Sequence, residues 1–98
     1  MPPQTLAALR GSIAKWRAIV DGTGVDRGPA NCPLCQMFLM GDCVGCPVSD
    51  KTEEMGCRET PYDNYSLAEE NHDEPAMADA AADELAFLVS LLPDGEAP

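Results

Sequence analysis

Residues 32–57 read CPLCQMFLMGDCVGCPVSDKTEEMGC, and all five cysteines of the 98-residue chain (Cys32, Cys35, Cys43, Cys46 and Cys57) lie inside this stretch. The two residues inside a CxxC pair let the chain turn back, so that both sulfurs point at one ion. Two such pairs supply the four thiolates of a tetrahedral zinc site, with Zn to S distances of ~2.3 Å. The same four sulfurs suit an iron–sulfur cluster. The expected ligands are therefore Cys32, Cys35, Cys43 and Cys46, with Zn2+ as the cofactor and a [4Fe-4S] cluster as the alternative. Seven residues separate Cys35 from Cys43, fewer than in zinc ribbons and fingers. The spacing predicts a compact knot in which Leu34 to Met40 forms helical turns. Cys46 followed by Pro47 is similar to the cysteine–proline ending of ferredoxin runs, although the rest of that spacing is absent.

Five sulfurs exceed the four that either centre needs. Cys57 follows a ten-residue stretch, PVSDKTEEMG, read as a loop able to fold back, so it is an alternative or additional ligand, a spare thiol or a reactive one. His72 is the only histidine and sits in the polar run Glu69-Glu70-Asn71-His72-Asp73-Glu74, where a solvated side chain is expected. A disulfide framework is the competing reading of the cysteines, and the redox compartment decides between them. Residues 1–22, MPPQTLAALRGSIAKWRAIVDG, lack the continuous apolar stretch and small-residue cleavage site of a secretory signal. No run approaches the ~20 apolar residues that span a bilayer. The expectation is a cytoplasmic chain in reducing conditions, and the odd cysteine count points the same way.

Outward from the cysteines lie two amphipathic helices. Leu6, Leu9, Ile13, Trp16 and Val20 recur at three and four residues, which predicts a helix over 6–20 with these side chains on its core face. Thr5 is placed to cap it and Gly22 to end it; Arg10 and Arg17 lie along one edge of the stripe and Lys15 outside it. A second helix is expected over 74–92, with Pro75 in its first turn and Ala78, Ala81, Leu85, Leu88, Val89 and Leu92 buried, Phe87 and Leu91 widening the apolar surface. Ser66 with Glu69 is a capping-box pattern, predicting a short turn from Leu67. Asp21 to Asn31 reads as a loop, and Thr60-Pro61-Tyr62 as an extended or turn segment. The fold class is small and mainly α: one domain over 1–98, in which helices 6–20 and 74–92 flank the metal module 32–57. A chain of this length buries only about 60 to 65 per cent of its unfolded surface. Structural zinc, which contributes on the order of 10 kcal/mol to folding in small domains, suits so thin a core.

Charge divides the chain. Residues 1–58 hold all six Lys and Arg against six Asp and Glu, a net of zero; residues 59–98 hold eleven acids and no Lys or Arg, so the whole formal charge of −11 lies there. Phosphate-backbone binding needs clustered Lys and Arg, so direct nucleic-acid binding is not expected. The acidic segment reads as a solvated face, or as a surface that engages a basic protein or imitates DNA, with Asp79, Asp83 and Glu84 as candidate groups. Catalytic patterns are lacking: no phosphate-cradling glycine loop, HExxH or GxSxG occurs. A hydrolytic zinc site keeps an open position beside His or carboxylate ligands, whereas cysteines alone argue for a closed, structural site.

The ordered set CPLC, CVGCPV, Cys57 and Thr60-Pro61-Tyr62, followed by a helix ending Phe87-Leu88-Val89-Ser90-Leu91-Leu92-Pro93, resembles small cysteine-rich proteins of unassigned function in bacteriophage and bacterial genomes. The resemblance spans residues 6–93. It implies a bacterial or phage-infected cytoplasm and a place for Cys57 in the motif, but brings no activity with it. The function expected is that of a non-enzymatic, zinc-holding accessory protein that binds another protein. The alternatives are an iron–sulfur redox or sensor protein and an acidic inhibitor of a host nucleic-acid-binding or defence protein.

Overall fold

The structure, a computed structural model, describes residues 1–27, 31–38, 46–52, 60–93 and 95–96. These residues form a small mainly α fold of five helices: α1 (Pro3–Asp21), α2 (Pro33–Phe38), α3 (Pro47–Thr52), α4 (Pro61–Glu70) and α5 (Glu74–Ser90). Proline occupies the first or second position of every one of them. There its fixed φ suits the helix, and its missing N–H is one the first turn leaves unpaired anyway. Among the described residues no helix is long and apolar enough to cross a membrane.

The two long helices form where the periodicity places them, with different ends. α1 starts at Pro3, so Thr5 does not cap it; Thr5 is a buried residue inside the helix. The C-terminal end is as expected. Gly22 adopts a left-handed φ of 83°, its N–H bonding to Ile19 O at 3.1 Å, a conformation that glycine adopts without the steric cost of a Cβ. Leu9, Ile13 and Trp16 are buried as the stripe predicts, whereas Val20 near the end of the helix is exposed. On α5, Ala81 and Leu88 are buried, but Ala78 faces solvent and Ala80 and Glu84 take interior places. α5 stops at Ser90, with Leu91 as its C-cap, short of the predicted Leu92.

The segment before α5 is more helical than its sequence suggests. Thr60 is extended (φ −119°, ψ 167°), as a residue before proline should be, and its hydroxyl accepts from Tyr62 N–H at 3.3 Å, making it the N-cap of α4. Ser66 therefore lies within α4 and caps nothing. A three-residue turn, Asn71-His72-Asp73, joins α4 to α5. In it His72 takes a positive φ of 52°, and Asp73 Oδ1 accepts from Ala76 N–H at 3.2 Å to cap the next helix. The exposed His72 is solvated, as expected. Pro47–Thr52, read as part of a loop, is the helix α3. α2 begins the helical turns expected from Leu34; Leu39, Met40 and residues 53–59 lie outside the described residues.

The core joins all five helices. Leu9, Ile13 and Trp16 of α1 meet Leu34 of α2, Val48 of α3, Tyr65 of α4, and Ala80, Ala81 and Leu88 of α5, with Cys46 buried in the same cluster. Trp16 is the largest side chain in it. The rings of Tyr62 and Tyr65 stand edge-on to Trp16, at centroid distances of 5.7 and 4.9 Å, an arrangement that adds to area burial. α5 packs on both α4 and α1, and α1 also packs on α2.

The α1–α2 contact is close because of one glycine. A Cβ at Gly11 would lie 2.8 Å from Pro33 Cγ and 3.3 Å from Pro33 Cβ. Alanine normally gains up to ~1 kcal/mol over glycine inside a helix. Here the pyrrolidine ring has little freedom to yield, so Gly11→Ala is expected to lower stability by about 1 kcal/mol or more, read as a lower denaturation midpoint in urea.

Candidate metal centre

Cys32 and Cys46 occupy equivalent local positions. Each immediately precedes the proline that opens a short helix, α2 and α3 respectively. A residue at that place has its side chain turned toward the first helical N–H groups, where an acceptor is needed. At α2 the acceptor is sulfur: Cys35 N–H donates to Cys32 Sγ at 3.4 Å, while Gln36 N–H donates to Cys32 O at 2.9 Å. The turn therefore brings both members of the CPLC pair to one place, as the spacing predicts.

α1 reaches this turn through Ser12, which is 1 % exposed. Its Oγ lies 3.4 Å from Leu34 N and 3.8 Å from Cys32 Sγ. The close Cys35 side chain, and then burial, push the Cys32 thiol well above its ordinary value, with the Ser12 hydrogen bond acting in the opposite direction. The Cys35 side chain and burial thus disfavour a lone thiolate at Cys32. A coordinated cation supplies the positive charge that ionisation needs, which is why metal binding to cysteine is coupled to proton release.

Cys46 is buried in the core cluster against which Cys32 packs. Cys43 and Cys57, the remaining ligand candidates, lie outside the described residues. Among the described residues no group of three or more His, Cys, Asp or Glu side chains converges on a point that could hold a metal ion. The structure thus brings together Cys32 and Cys35. The four-cysteine set and the part played by Cys57 stay expectations.

A second polar cluster flanks the turn, and the sequence pattern missed it. Lys15, expected outside the helix stripe, is folded inward: its Nζ is 2.8 Å from Asp26 Oδ1, the two side chains being only 7 % and 5 % exposed. The ammonium also lies 5.2 Å from the centre of the Trp16 ring, a cation–π distance. Tyr62 OH donates to Asp26 Oδ2 at 3.0 Å, which ties the loop after α1 to α4. The signal that was available is the glycine-ended helix itself. Thr23 and Gly24 N–H both bond back to Ala18 O, so the chain reverses and carries Asp26 alongside the last turns of α1.

Glu84 belongs to this interior and not to the acidic surface with which the sequence grouped it. It is 2 % exposed, and its Oε2 has no hydrogen-bond partner among the described residues. Asp79 and Asp83 are exposed as expected. The residues before it, Ala80-Ala81-Ala82 and the exposed Asp83, give no warning that Glu84 points inward.

The fold and site together define a small α-helical protein with a cysteine turn seated on its first helix. No family model, no curated protein and no solved structure matches the chain.

Burial pushes the Glu84 carboxyl up to about 7, opposed chiefly by a backbone hydrogen bond from Tyr62. A carboxyl whose folded value exceeds its unfolded one takes up a proton on folding. The stability linked to it is complete below about 4.5 and is lost as pH rises through about 7. That loss is on the order of 3 kcal/mol at most. Glu84→Gln should remove this slope, so the stability difference between variant and wild type, from urea denaturation, should grow in the variant's favour between pH 5 and pH 8.

Proposed function

We propose that this protein is a non-enzymatic metal-binding accessory protein of the bacterial or phage-infected cytoplasm, in which zinc held by Cys32, Cys35, Cys43 and Cys46 closes the fold. Cys57 is an alternative or additional ligand. The observation that carries the reading is the CPLC turn: Cys35 N–H donates to Cys32 Sγ, and Ser12 of α1 lies within hydrogen-bond reach of the same sulfur. Backbone N–H groups directed at cysteine sulfur are what a thiolate ligand needs, since they spread its charge. The burial of Cys46 in the core cluster against which Cys32 packs supports a ligand set that ties the interior together. A closed set of cysteines serves structure, and the activity then resides in a surface that binds another protein.

The acidic segment favours a basic partner as the second part of this reading. Asp63, Glu69, Glu70, Asp73, Glu74, Asp79 and Asp83 are all exposed along α4, α5 and their connecting turn. No lysine or arginine follows residue 58 to offset them. Such a field accelerates encounter with a positively charged protein and falls away with salt.

Protein purified without oxygen should be colourless and carry about one zinc per chain by elemental analysis. A chelator should lower its helical circular dichroism as the staple is withdrawn. Brown protein containing iron and acid-labile sulfide would replace zinc with the cluster, and metal-free protein of unchanged helicity would refute both. Cys57→Ser should retain the metal, and loss of metal would place Cys57 among the ligands.

A further inference from the structure

We propose that Ser12 is a positioning residue of the cysteine centre, its hydroxyl donating to the Cys32 sulfur when that sulfur binds metal. The inference rests on the metal reading above and assigns a role to a residue outside the cysteine motif.

Ser12 sits on the inner face of α1 among Leu9, Ile13 and Trp16, and is almost wholly buried. A hydroxyl has one proton to give and two lone pairs to receive. Leu34 N–H takes one lone pair at 3.4 Å, and Cys32 Sγ lies 3.8 Å away, within hydrogen-bond reach of a sulfur. With a thiol at Cys32 either atom could donate. A metal-bound thiolate has no proton, so the direction becomes fixed: Leu34 N–H to Ser12 Oγ, and Ser12 O–H to Cys32 Sγ. Together with Cys35 N–H at 3.4 Å, the sulfur then accepts two hydrogen bonds from protein. Both lower the electron density it offers the metal and hold its lone pairs in place. Gly11 makes this arrangement possible, since any side chain there would push Pro33, and the turn with it, away from α1.

Partners of this kind commonly change metal affinity by roughly 10- to 100-fold when removed. The test uses the full chain loaded with cobalt(II), whose thiolate-to-metal charge-transfer band reports the sulfur directly. Ser12→Ala should weaken metal binding by roughly 10-fold or more and move the band to lower energy, because an unbonded thiolate is easier to oxidise. Ser12→Thr, which keeps the hydroxyl, should restore the band. A Ser12→Ala protein of normal helicity with the wild-type band and affinity overturns the proposal. Should Ser12→Ala not fold, wild-type protein loaded with a spin-half cadmium isotope decides instead. A scalar coupling between the metal and the Ser12 hydroxyl proton supports the bond, and a hydroxyl resonance lacking that coupling overturns it. If wild-type protein gives no thiolate-to-cobalt band at all, the metal reading itself has failed; an unshifted band in the variant, with a normal one in wild type, defeats only the role of Ser12.

Discussion

Contact between the backbone of α1 and the ring of Pro33 at Gly11 is the constraint from which the rest of the arrangement follows. It brings the start of α2 against α1 and lets the next residue, Ser12, share its hydroxyl between Leu34 N and Cys32 Sγ. Leu34 then enters the same core as Leu9 and Ile13. The cysteine turn is therefore tied to the hydrophobic interior by packing and by hydrogen bonds together. Van der Waals contacts of this kind fall away within an ångström of separation, so the site's geometry inherits the rigidity of the longest helix.

Around Trp16 the interior is unusually polar for so small a core. Lys15, Asp26 and Tyr62 satisfy one another, and an ion pair this deeply buried contributes less to stability than its Coulomb attraction suggests, because both charges lose their hydration. What it does provide is location: the loop after α1 is held at Asp26 between Lys15 of α1 and Tyr62 of α4. Glu84 is the exception, since it brings a carboxyl inward and leaves one oxygen without a partner among the described residues. Such a group costs stability unless it is neutral, which is the physical reason its proton is held so strongly.

Periodicity made the long helices legible because α1 and α5 bury a stripe and expose the remainder. It failed where one residue departs from the stripe. Lys15 and Glu84 are charged, and charge alone assigns them to solvent; only the pairing of Lys15 with Asp26, 11 positions away and brought near by a chain reversal, shows otherwise. Local capping chemistry also misled. Ser66 with Glu69 satisfies a capping pattern, but Thr60 with Pro61 supplies a competing start six residues earlier and prevails. The CPLC turn was legible from spacing, because the geometry of CxxC is local. Its attachment to Ser12 was not, because a serine between Gly11 and Ile13 carries no outward mark of the sulfur it will face. α3 is hidden for a different reason: Pro47 completes a cysteine motif in the sequence, and the same residue stands where proline most often opens a helix.

Those proline openings affect the state that the structure does not display. Five helices begin on or beside Pro3, Pro33, Pro47, Pro61 and Pro75, and each ring narrows the conformations open to the chain before it folds. A proline that fits its native φ stabilises by roughly 0.4 to 1 kcal/mol, mainly by removing disorder from the unfolded ensemble. Part of this small protein's stability is consequently held in no contact at all. It comes from restricting the unfolded chain at the points where helices are to begin.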